Sequence, residues 1–140
     1  MGDAAAKREA RGATIAALTA SAVVLTLLSC ASSGCREFLT GSKESPNRAY
    51  TAGSFVRKCG GEQGGSLTHV NLHDGMGTPP PGLNGTITSG EVFAAEGSFN
   101  VKLTWKGNGE LLVGCEGCAG RKVTKRESAW RDVKISYAEK

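Results

Sequence analysis

The sequence predicts a mainly β protein: a small, disulfide-stapled antiparallel sandwich or barrel-like meander that follows an N-terminal helical signal segment. Three observations carry this. From about Tyr50 onward, short apolar runs of period two alternate with glycine-rich stretches. All eight aromatic residues lie between Phe38 and Tyr137, enough for one modest core. Cys35, Cys59, Cys115 and Cys118 form an even set in the same part of the chain, which suits two disulfides in an oxidising compartment.

The first segment is read from charge. Lys7, Arg8 and Arg11 stand against Asp3 and Glu9, and no charged residue occurs from Gly12 to Cys35. This is a basic n-region followed by an apolar h-region. The run is rich in Ala, Thr and Ser and strongly apolar only from Val23 to Leu28, which makes a weak permanent span. It closes on Leu27-Leu28-Ser29-Cys30, which resembles the lipobox of bacterial lipoproteins. Leu28 stands where that class more often has a small residue. The resemblance implies that the Cys30 thiol receives a diacylglycerol, that residues 1–29 are removed, and that the new amino terminus is acylated. Ordinary cleavage after Ala31 and an uncleaved signal anchor are the alternatives. All three place Arg36 to Lys140 outside the cytoplasm, the anchor because its basic flank stays inside. The expected location is therefore the cell envelope, lipid-anchored at the outer membrane, periplasm or cell surface.

Residues 30–49 are small, polar and turn-rich, with Gly34, Gly41, Ser42, Ser45 and Pro46, and read as a flexible tether. Residues 50–140 form the β-rich exported domain. Its clearest strand is Phe99 to Trp105, with Phe99, Val101, Leu103 and Trp105 on one face and Asn100, Lys102 and Thr104 on the other. Gly107-Asn108-Gly109 supplies turn chemistry, and Leu111 to Cys115 returns as the second arm of a hairpin. Trp130 to Tyr137 alternates again and reads as the last strand. Earlier candidates are Gly53 to Lys58, Leu67 to Leu72 and Thr86 to Ala94, with poorly patterned loops over residues 60–65 and 73–85.

The four cysteines allow three connectivities. A long-range bridge from Cys59 to the Cys115–Cys118 pair is expected, because closing a long loop constrains the unfolded chain most. Cys115-Glu-Gly-Cys118 reads as a tight turn with a structural bridge, with redox exchange or metal binding as alternatives. A zinc site would need two more ligands from Cys35, Cys59, His69 and His73. The two histidines lie on a strand pattern that starts their rings about 13 Å apart, too far for one ion, and both are expected to face solvent. No metal site and no cofactor follow.

No Gly-x-Ser-x-Gly or Ser-x-x-Lys arrangement occurs, so no catalytic residue is assigned. Three of the 17 basic and two of the 13 acidic residues lie in the first 30, leaving 14 against 11 in the exported part. That balance, together with export, disfavours nucleic acid. Arg121, Lys122, Lys125, Arg126 and Arg131 form a local basic cluster, either a wet edge strand or a patch for an anionic partner. The reading as a whole is a membrane-tethered lipoprotein serving as a non-catalytic binding or envelope-assembly module, its partner an envelope protein or polysaccharide. The alternative, from another class, is a thiol-disulfide or metal-handling protein using Cys115 and Cys118.

Overall fold

The computed structural model of the chain describes residues 34–61, 64–78, 87 and 89–140. The apolar segment and Cys30 lie outside the described residues, as do parts of both expected loops and the start of the strand expected from Thr86. Among the described residues there are nine strands: β1 (Arg36–Glu44), β2 (Tyr50–Lys58), β3 (Ser66–Asp74), β4 (Glu91–Glu96), β5 (Asn100–Trp105), β6 (Glu110–Glu116), β7 (Val123–Arg126), β8 (Ala129–Trp130) and β9 (Val133–Glu139). They make two sheets, in the orders β1-β2-β3-β4-β7 and β5-β6-β9-β8. The core lies between them: Ala52, Val70, Leu72 and Phe93 from the first sheet meet Val101, Leu103, Leu111, Val113, Val133 and Ile135 from the second.

The alternating patterns translate directly into faces. Along β5, Val101 and Leu103 are buried while Asn100, Lys102 and Thr104 are exposed. β6 returns beside it in the predicted hairpin, with Trp105 opposite Leu111 and the Lys106 N–H donating to the Glu110 carbonyl at 2.8 Å. In β9, Val133 and Ile135 point to the core and Lys134 points out.

Three expectations are corrected. Residues 36–44, read as part of a tether, form β1. Its residues are almost all exposed, so it carries no apolar period; the strand is held by backbone pairing to β2 along its length. The second sheet is mixed rather than purely antiparallel, because β9 runs parallel to β6. Between the two, the chain crosses to the first sheet as β7, and this excursion reverses its direction before it returns. The expected last strand, Trp130 to Tyr137, is broken by a turn at Arg131 and Asp132, where Arg131 takes φ +52°.

Gly90 explains where β4 begins. Its φ is +71°, its carbonyl accepts from the Leu72 N–H at 2.8 Å, and a Cβ there would sit 1.9 Å from the Leu72 carbonyl oxygen. Only glycine lets the incoming chain approach β3 this closely. The interruption visible in the sequence is thus the start of the strand.

Candidate functional site

The strand directions sort the loops into two ends. At one end the Cys35–Cys59 and Cys115–Cys118 bridges close β1 to β2 and the turn after β6. The expected even pairing is met, but the long-range bridge from Cys59 is not formed. The register places Arg36 opposite Lys58, so Cys35 and Cys59 are neighbours just beyond the paired residues. Cys115 and Cys118 are bonded across the turn at Gly117 and lie within the core, 2% and 1% exposed. An exchange partner would have to reach a buried sulfur, which works against the thiol-disulfide alternative.

The opposite end carries an exposed aromatic and ionic cluster. Tyr50 opens β2, Asp74 closes β3, and Trp130, Arg131 and Asp132 form the β8–β9 turn. The Tyr50 hydroxyl donates to the Asp132 carboxylate, which holds the phenol above its ordinary value of 10.0. The Tyr50 and Trp130 rings meet edge to face with centroids 5.8 Å apart. The Arg131 guanidinium lies 4.6 Å from the Trp130 ring and pairs with Asp74. Arg131 holds this position in the left-handed region, a conformation that costs a non-glycine residue about 1–3 kcal/mol. Met76, 56% exposed, follows Gly75 at the same end, where the Gly75 N–H donates to Ala49. Half-exposed Tyr and Trp beside Arg and Met are the residue types that protein interfaces concentrate.

The basic residues singled out in the sequence are not brought together. Arg131 lies in the aromatic cluster, while Lys125 and Arg126 belong to β7, an edge strand of the first sheet, and Arg121 and Lys122 precede it at the cysteine-bearing end. Most are already engaged: Lys122 with Glu96 at 2.7 Å, Arg126 with Glu139 at 2.7 Å and over the Tyr137 ring, and Arg121 over Phe99. Within this segment Lys122 and Arg126 thus have carboxylate partners, and Lys125 and Arg126 stand on an edge strand.

One polar cluster was missed altogether. His69 is fully buried rather than solvent-facing, stacked on Phe55 at 5.3 Å. Its Nε2 faces the Glu37 carboxylate; its Nδ1 faces Asn71 Oδ1 at 2.6 Å and Glu91 at 3.4 Å. Arg57 lies 3.5 Å from Glu37 and donates to the Ile87 carbonyl at 3.0 Å. Glu37 in turn accepts the Ile87 N–H at 2.7 Å, and Asn71 donates to the Ser89 carbonyl at 2.9 Å. The cluster therefore pins residues 87 and 89 onto the outer face of the first sheet. Alternation along β3 assigned His69 to that outer face correctly but could not reveal that the face is covered. His73, four residues on, is partly buried; burial lowers its pKa from 6.5, and its Nδ1 has no hydrogen-bond partner among the described residues.

These residue types could serve acid–base chemistry, yet His69 is 0% exposed and its neighbours spend their hydrogen bonds on backbone. Holding a chain segment is what this arrangement does. Among the described residues, no group of three or more His, Cys, Asp or Glu is placed to hold a metal ion. Comparison of the chain with protein-family models, with characterised proteins and with solved structures gives no match.

Proposed function

We propose that the protein is an exported, lipid-anchored binding module of the cell envelope: a disulfide-stapled β-sandwich, held to the membrane through Cys30, that presents its far end to an envelope protein or polysaccharide. The observation that carries this reading is the polarity of the domain. The chain arrives at the cysteine-bearing end through Cys35, and the exposed Tyr50, Trp130 and Arg131 cluster occupies the opposite end. Two disulfides support an oxidising compartment, since such bridges are rare where glutathione keeps thiols reduced. Non-catalytic service is supported by the burial of His69 within the histidine and carboxylate cluster seen among the described residues.

The test has two parts. Cys30→Ser should release the protein from the membrane fraction on a high-salt wash, whereas the unaltered protein stays; retention of the variant would sink lipid attachment. In intact cells, a photoreactive side chain at position 76 should trap one envelope component, and Arg131→Glu should abolish the adduct. An adduct unaffected by that substitution would remove the cluster from the binding role.

A further inference from the structure

We propose that the cysteine-bearing end is a docking face for anionic phospholipid headgroups, so that the domain stands on the bilayer that holds its anchor. The inference rests on the lipid-anchored reading of Cys30 and deepens it.

Distance comes first. Five residue steps separate Cys30 from Cys35, so the chain between them reaches at most about 18 Å. At physiological ionic strength the screening length is about 8 Å, and so short a tether lets this end approach the surface to within that distance. Two cations stand nearest the tether, while the carboxylates of this end, Glu96, Glu116 and Glu139, lie on β4, β6 and β9. Arg36 and Lys58 are direct partners across β1 and β2, both are exposed, and neither has an ion pair among the described residues. This sets them apart from Lys122, Arg126 and Arg131, each of which already has its carboxylate.

The surface between them has the apolar element that an interface needs. Phe38, two residues from Arg36 on the same face, is 47% exposed, and the Lys58 Nζ lies 5.7 Å from its ring. Arg36, Phe38, Lys58 and Ser66 are among the residues that line a groove of about 590 Å³. One further cation, Arg121, lies along this end, beside the Lys122–Glu96 pair. Lys58 pairs with Ser66, whose carbonyl accepts the Gly97 N–H at 2.9 Å; Gly97 underlies the Phe99 ring, and Arg121 lies over that ring at 5.8 Å. A phosphate between Arg36 and Lys58 with an aromatic ring at headgroup depth is a combination that bilayer surfaces favour. The Cys35–Cys59 bridge ties β1 to β2 beside the two cations and fixes their spacing before any lipid is met.

The test uses the full acylated protein, reconstituted into phosphatidylcholine vesicles with or without phosphatidylglycerol. A brief pulse of a water-soluble amine reagent is followed by peptide mass mapping. Lys58 should react roughly fivefold more slowly in the anionic vesicles, the size of effect expected for one cation near such a surface. Lys106 and Lys134, toward the other end, should react equally in both. Salt at about 1 M should erase the protection of Lys58. Arg36→Glu should do the same at low salt. Equal labelling of Lys58 in the two vesicle types would overturn the docking face. The intact mass of the same sample separates the two ideas: a chain without acyl groups overturns the anchor, whereas an acylated chain with unprotected Lys58 overturns the docking alone.

Discussion

Glu37→Ala is the substitution that most sharply probes how the first sheet is held. The Glu37 carboxylate, whose side chain is 6% exposed, meets His69, Arg57 and the Ile87 N–H. Removing it leaves the Arg57 guanidinium, 16% exposed, without its counter-charge and the Ile87 N–H without an acceptor. Breaking one side of such a buried pair costs about 3–5 kcal/mol, a large part of the 5–15 kcal/mol that typically holds a domain together. With a urea m-value of about 2 kcal/mol per M, the unfolding midpoint should fall by about 2 M. Glu37→Gln keeps the shape and an acceptor for Ile87, and should cost about 1–3 kcal/mol. In Glu37→Ala combined with Arg57→Ala the losses should fall short of additive by about 0.5–3 kcal/mol. A loss below about 1 kcal/mol for Glu37→Ala, the level of an exposed pair, would refute the buried-latch account.

Other outcomes follow from the same structure. Replacing both Cys35 and Cys59 with Ser should destabilise the domain by about 3.5 kcal/mol, and the Cys115 and Cys118 pair by about 2, from loops with sequence separations of 24 and 3, measured by denaturant unfolding. Arg131→Gly relieves the left-handed strain but loses the Trp130 and Asp74 contacts, so stability should change by less than about 1 kcal/mol while partner binding drops tenfold or more; equal losses in both would deny Arg131 a binding role. Burial pushes the Tyr137 phenol up to about 12. The folded state keeps this proton after the unfolded chain has lost it, so stability should decline as pH rises from about 10 to about 12, a slope that Tyr137→Phe removes. His73 has the opposite sense: its pKa is lowered by burial, the unfolded chain takes up the proton first, and stability should decline as pH falls below about 6.5. His73→Gln should flatten that acid limb.

How far the sequence reached is a matter of range. The β5–β6 hairpin was legible because its faces and its turn are written in consecutive residues, from Phe99 to Cys115. β1 was not, because an edge strand with few buried residues looks like any polar segment; its pairing is backbone chemistry. The parallel partnership of β6 and β9 depends on where the chain goes in between, which no local pattern records. The cysteines were rightly read as an even set, while the loop-entropy preference for a long bridge lost to the β1–β2 register that sets Cys35 beside Cys59. The same limit explains the site. Tyr50 and Asp132 are 82 residues apart in sequence, and the five residues of the far-end cluster share no motif. His69 was placed on the correct strand and face, but its cover comes from Ile87 and Ser89, joined to it through Glu37, Arg57 and Asn71 on three strands.

The most direct test of the central claim, a lipid-anchored and doubly bridged module, is the intact mass of the protein extracted from its native membrane. The account predicts a chain beginning at Cys30, heavier by its acyl groups and lighter by the hydrogens lost to the Cys35–Cys59 and Cys115–Cys118 bridges. A mass equal to the whole unmodified chain would contradict it.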